Sequence, residues 1–187
     1  MNKNPKTVKR IGKRLIELGL NGLLIGATKA KSPSRKVGPE FRNWLYEIDY
    51  PVLQKDDFLN RKNKVAVLDG SDSSLVNFAK EELGYKGSKG LDAVLRVKDK
   101  FVIAEAKFIT SNGGTQHKSF REGMAFIKEK NKNFIKIAIF DGVVWIMSDK
   151  VKTNKKNKLS LYETVINLKN NEIALSALLL KDFISEL

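Results

Sequence analysis

Asp92, Glu105 and Lys107 are the residues of this 187-residue chain whose types and spacing suit chemistry. Glu105 and Lys107 stand two apart in the run FVIAEAKF at 101–108. Side chains alternate across a strand, so Phe101, Ile103, Glu105 and Lys107 share one face. Val102, Ala104, Ala106 and Phe108 take the other. Both faces are apolar apart from the two charges, the pattern of a central strand covered on both sides. An unpaired buried charge costs several kcal/mol, so a fold that keeps two of them beside its core must pair them or use them. An ion pair at a strand end would satisfy Glu105 and Lys107 without any chemistry. Asp92 points elsewhere. It stands thirteen positions before Glu105, near the start of the apolar run LDAVLRV at 91–97. A tight turn at Lys98, Asp99 and Lys100 joins the two runs as a hairpin. Antiparallel pairing then sets Asp92 close to the C-terminal end of the second strand. Two carboxylates and a lysine converging there are what phosphodiester hydrolysis needs. The carboxylates hold magnesium, and the lysine positions or activates water and offsets charge on the phosphorane.

The elements around this hairpin read as a mixed α/β sandwich, with helices about a small central sheet. Asn4 and Pro5 open a helix in which Val8, Ile11, Leu15 and Leu18 share a face, and Gly19 stops it. Lys9, Arg10, Lys13 and Arg14 lie on its other side. A second helix is expected over 40–48, ended by Pro51. A short strand follows at 64–68, and Ser73 or Ser74 caps a helix through LVNFAKEEL. The loop GYKGSKG at 84–90 lacks the pattern of a nucleotide phosphate loop. After TSNGG comes a helix from Gln116 to Lys130, then strands at 134–140 and 143–148. An exposed loop over 150–158 carries five lysines, and an apolar helix over 174–187 ends the chain. One domain is expected: a basic arm at 1–36, a core at about 64–148 and the terminal helix.

Composition limits the chemistry. The 35 Lys and Arg against 21 Asp and Glu give a net charge of +14, which favours a polyanionic partner, nucleic acid first. The arm and the lysine loop suit phosphate contacts or a merely solvated basic face. No cysteine is present and His117 is the one histidine, so thiolate and histidine-rich metal sites are excluded, and any metal is hard and oxygen-ligated. The stretch LLIGA at 23–27 follows a basic segment, but Glu17, Asn21 and Lys29 break up any signal-peptide pattern. No run approaches the ~20 apolar residues of a membrane span. A cytoplasmic protein is expected.

Asp92 followed by Glu105-Ala106-Lys107 at the end of a hydrophobic strand resembles the PD-(D/E)XK nuclease superfamily over roughly 70–140. The core of that superfamily is a helix, three strands, a helix and a strand. The continuation KFITSNGGTQ at 107–116 is similar to restriction endonucleases in which EAK is followed by a Gly-Gly turn and a glutamine. Gln116 with Phe120 resembles the Q-x3-aromatic helix of related nucleases. The resemblance implies a restriction-endonuclease-like core, Mg2+ as cofactor and double-stranded DNA as substrate. It makes Asp92 and Glu105 metal ligands with the Ala106 carbonyl as a further oxygen, sets Lys107 on the attacking water and makes Gln116 auxiliary. Position 91 departs from it, with Leu91 in place of proline. Asp69 and Asp72 are reserves for Asp92, while Asp99 belongs to the turn. A helix glutamate often joins such sites, and Glu40, Glu47, Glu81 and Glu82 are candidates. Gly113 and Gly114 read as turn formers, Trp44 and Trp145 as core.

As a whole, the chain resembles the small cleavage subunit of a heterodimeric type IIS restriction endonuclease, which implies a larger DNA-recognising subunit as partner. The apolar face of the terminal helix, with Leu175, Leu178, Leu179, Phe183 and Ile184, is either core or a docking face. Two rivals stay open, a homodimeric junction resolvase of the same fold and a non-catalytic nucleic-acid-binding module with a structural Glu105–Lys107 pair.

Overall fold

The computed structural model describes residues 5–28, 37–61, 64–110, 114–129, 131–145 and 160–187. Six strands form one mixed sheet in chain order: β1 (Val52–Leu53), β2 (Val65–Leu68), β3 (Ala93–Val97), β4 (Lys100–Ile109), β5 (Ile135–Gly142) and β6 (Ile173–Leu175). The β2–β3 and β3–β4 pairs are antiparallel; β1–β2, β4–β5 and β5–β6 are parallel. The helices are α1 (Pro5–Thr28), α2 (Val37–Glu47), α3 (Lys55–Asn60), α4 (Asp72–Leu83), α5 (Gly114–Lys128), α6 (Leu161–Ile166) and α7 (Leu180–Glu186). The expected central mixed sheet flanked by helices is therefore present. Among the described residues, no helix is long and apolar enough to cross a membrane.

The strand at 101–108 is central, as its two apolar faces require. On one side Val102, Ala104 and Ala106 join Phe41 and Leu45 of α2, Ile137 and Ile139 of β5, and Leu180 and Ile184 of α7. On the other, Val94 and Ile103 pack with Phe58 of α3 and with Leu75, Phe78 and Ala79 of α4. Farther along that side, Phe120, Met124 and Ile127 of α5 cover Ala138 and Phe140 of β5. Burying such side chains is worth about 1.5–3 kcal/mol each, so this double covering holds β3, β4 and β5 rigidly in place.

Several elements differ from expectation. Between 70 and 140 the chain lays down a helix, two strands, a helix and a strand; the third strand, β2, precedes α4. The turn between β3 and β4 has two residues, because Val97 pairs with Lys100, and Lys98 takes a left-handed φ of 58°. The cap of α4 is Ser71 rather than Ser73 or Ser74: its hydroxyl accepts the Ser74 N–H at 3.3 Å. Gly19 breaks α1 (φ 61°, ψ 179°) without ending it, and helix resumes through the LLIGA stretch to Thr28. That conformation is easy for glycine, so the chain bends and winds on. The side chains of Val8 and Ile11, the loop at 29–36, residues 146–148, Lys130 and the lysines of 150–158 lie outside the described residues.

The C-terminal region differs most. Val143–Trp145 forms a turn of 3-10 helix, not a strand, with Val144 buried and the Trp145 indole N–H donated to the Phe140 carbonyl. Residues 174–187 begin as strand, since the free edge of β5 takes up Ile173–Leu175, and the helix starts only at Leu180. Leu175, Leu180 and Ile184 are buried in the core, and Leu178 is exposed. Gly142 ends β5 at φ 91°, where a Cβ would stand 2.1 Å from the Ile109 carbonyl oxygen at the end of β4. Conformational strain and a backbone clash coincide there. Gly142→Ala is expected to lower the urea midpoint, at a cost of about 1–3 kcal/mol; an unchanged midpoint would show that the two strand ends relax freely.

Candidate active site

The hairpin brings the proposed groups together. Ala93 pairs with Ala104, and the Asp92 N–H donates to the Ala104 carbonyl at 3.0 Å. The ladder is offset by one residue there, since Asp92 reaches the Ala104 carbonyl and not that of Glu105, and the two carboxylates come within electrostatic reach of one another. Both carboxylates are buried, with residue exposures of 8% and 5%. Lys107, one pleat along, reaches back so that its Nζ lies 2.9 Å from Glu105 Oε1. Asp92 Oδ2 accepts the Ala106 N–H at 2.8 Å. From across the sheet, the first turn of α2 closes on the other oxygen. A Cβ at Gly38 would lie 2.5 Å from Asp92 Oδ1, so a residue without a side chain is required there.

Burial is the largest influence on Asp92 and raises its carboxyl above the ordinary value, with the neighbouring charge of Glu105 adding to the effect. The Ala106 N–H and the charges of Lys107 and Arg42 act the other way. Arg42 is itself committed to Asp72 through an ion pair. The two acids thus lie close together, and the one lysine beside them is paired with Glu105. Such a pair favours a cation that can compensate both.

The donor set suits a hard cation. A strand residue turns its N–H and C=O toward the same neighbour, so the Ala106 carbonyl also faces the Asp92 side of β4, beyond the end of the β3 ladder. Among the described residues, no three His, Asp or Glu gather as a metal cage. Magnesium does not need one: it is usually held by one or two carboxylates and completes its shell with water and substrate phosphate. Two carboxylates and a carbonyl fit that habit.

The remaining candidates separate by position. Glu40, in the first turn of α2, lines a cavity together with Ala106, Lys107 and Phe108. Glu81 and Glu82 both pair with Lys55, at 3.1 and 2.7 Å, and Glu47 is exposed in the last turn of α2. Asp69 accepts bonds from the Tyr46 hydroxyl at 2.9 Å and from Gln54 Nε2 at 2.8 Å. Gln116 accepts the Thr110 N–H through Oε1 at 3.3 Å, which ties the start of α5 to the end of β4. His117 is half-buried on α5. Leu91, at the departure from the motif, is fully buried. Trp44 and Trp145 are partly buried against two different cores. Gly113 lies outside the described residues, and Gly114 is the first residue of α5.

Three neighbours escaped the sequence reading. Gly38 and Arg42 reach Asp92 only through the docking of α2, which leaves no local signal. Asp141 lines the Glu40 cavity; burial raises its carboxyl, while the Ser176 hydroxyl at 2.6 Å lowers it. An acid closing the apolar run 134–140 was the available cue.

A family model described as Tsp45I type II restriction enzyme matches residues 1–187, the whole chain. No curated protein and no solved structure matches.

The raised carboxyl has a consequence for stability. Between the unfolded and folded pKa values of Asp92, the native state binds more protons than the unfolded one, so stability falls as pH rises through that window and stays lower above it. Asp92→Asn keeps an acceptor for the Ala106 N–H and removes the buried charge. In metal-free protein it is expected to unfold at higher denaturant than wild type at neutral pH, with the gain vanishing below the ordinary carboxylate range. A variant less stable than wild type at neutral pH would contradict the burial argument.

Proposed function

The chain belongs to the Tsp45I type II restriction enzyme family, and we propose that it hydrolyses DNA phosphodiester bonds with Asp92, Glu105 and Lys107. Membership makes it a restriction endonuclease acting on DNA. The observation that carries the assignment is Asp92 beside Glu105 at the end of the β3–β4 hairpin, its carboxylate on the Ala106 N–H at 2.8 Å, with the Lys107 ammonium 2.9 Å from Glu105. The D-x12-E-x-K spacing and the mixed sheet support a PD-(D/E)XK core within one domain spanning 1–187.

In this reading Asp92, Glu105 and the Ala106 carbonyl hold Mg2+. When bound, that ion supplies charge against the phosphate oxygens and lowers the pKa of water. Asp92 is fixed for the task by Gly38 and the Ala106 N–H. Glu105 is oriented by Lys107. Lys107 keeps its ammonium at the site's edge, where it aligns the attacking water and meets charge that develops only in the transition state. Glu40 is the helix glutamate best placed to assist. Gln116 acts by holding the strand end to α5.

We further propose that the chain is the strand-cleaving small subunit of a heterodimeric type IIS enzyme. Half-exposed Leu15 and Leu18 on α1 suit a partner surface. A larger subunit bound at its own site would raise the local concentration of this one beside it.

Three measurements test these statements. Lys107→Ala is expected to lower the cleavage rate by about 10²-fold or more while binding is nearly kept; more than about a tenth of wild-type rate would remove Lys107 from the chemistry. Asp92→Ala and Glu105→Ala should abolish magnesium-dependent cleavage, and full activity in EDTA would overturn the metal assignment. For the subunit, supercoiled plasmid should be nicked by the larger partner alone and linearised only by both. Linearisation at one defined sequence by this chain alone would refute the subunit role, and cutting confined to four-way junctions would favour a resolvase.

A further inference from the structure

We propose that the cleft between residues 85–90 and α5 carries the phosphates flanking the one to be cut, with Lys118 and Arg121 as its positioning cations. The proposal rests on the nuclease reading above and deepens it by assigning the DNA path. Glu105 lines this cleft, together with Lys89, Lys118, Arg121, Glu122 and Glu129. DNA whose phosphate reaches Glu105 through this cleft lays its neighbouring phosphates along these side chains.

The charges show which of them are available. Each carboxylate of the cleft already has its own lysine. Glu105 is paired with Lys107 at 2.9 Å and Glu122 with Lys89 at 3.0 Å; Glu129 is paired with Lys136. That last pair is well held, since the Lys136 ammonium is buried among the rings of Tyr85, Phe126 and Phe134, 5.3–5.8 Å from their centroids. Lys118 and Arg121 are left as the two cations of the cleft without an ion-pair partner among the described residues. Both are exposed. They stand three apart on α5, hence as neighbours on one helical face. The opposite face is fixed by Phe120, Met124 and Ile127 on the sheet, and by Gly123, where a Cβ would meet the buried Phe140 ring at 2.7 Å. The helix lies so close that its cationic face has one place to point. The carboxyl of Glu122 is held below its ordinary value first by Lys89, with Lys118 and Lys107 also contributing, so both lysines lie near this cleft acid.

The test is the salt dependence of duplex DNA binding by the full chain, in calcium to prevent cutting. Each phosphate contact contributes about −0.9 to the slope of log K against log salt. Lys118→Ala combined with Arg121→Ala should make that slope shallower by about two and weaken binding alike on all sequences. Exchanging the residues (Lys118→Arg with Arg121→Lys) should keep the slope. An unchanged slope in the double alanine variant, or no duplex binding by wild type at any salt, would overturn the proposal. Wild-type cleavage in magnesium with the larger subunit present, run alongside, separates the two readings. Cleavage with an unchanged slope sinks only the phosphate path. A shallower slope without any cleavage supports the path and sinks the nuclease.

Discussion

Two buried carboxylates brought close together at the end of the β3–β4 hairpin are the constraint around which this molecule is arranged. Asp92 and Glu105 are each almost fully buried, and like charges so placed repel and cannot be hydrated. The fold tolerates them because the backbone leaves little choice of position. The hairpin turn fixes the register, β5 pins β4 from its other edge, and apolar cores press on both faces. The local remedies are partial: one N–H for Asp92 and one lysine for Glu105. A site held this way is short of positive charge by construction.

The charge arrangement extends outward from that pair. On the Glu105 side of the sheet, the acids of the cleft are matched by lysines one for one, and the surplus is cationic. On the α2 side, Glu40 and Asp141 line an aromatic cavity with Phe41, Trp44 and Phe108. β4 thus separates a cleft with surplus cations from an apolar recess lined by Glu40, Asp141 and Lys107. A polyanion entering from the basic side meets unpaired cations before it meets carboxylates, which is the order an encounter with DNA requires.

What the sequence revealed was local. The apolar runs on either side of a short turn determine which residues of β3 and β4 stand opposite, so the place of Asp92 near the C-terminal end of β4 could be derived from spacing alone. Centrality of β4 followed from its two apolar faces. The edges were illegible. Strands of two or three residues, such as β1 and β6, show no alternation, and 174–187 has a helical composition that the open edge of β5 partly overrides. Gly38 and Arg42 were equally hidden, because their proximity to Asp92 depends on how α2 docks some fifty residues away in sequence. The polar residues chosen as caps failed for a smaller reason: with serines at 71, 73 and 74, only the backbone decides which one begins α4.

The central claim is that Asp92 and Glu105 together form a site for a divalent cation. Calorimetric titration of the protein with calcium, which binds oxygen sites of this kind, addresses that claim without depending on cleavage. The account predicts saturable binding that is lost in Glu105→Gln. It also predicts proton release on binding that grows as pH is lowered toward the carboxylate range, because the raised Asp92 carboxyl must ionise to become a ligand. Equal binding by Glu105→Gln and wild type, with no proton released, would contradict it.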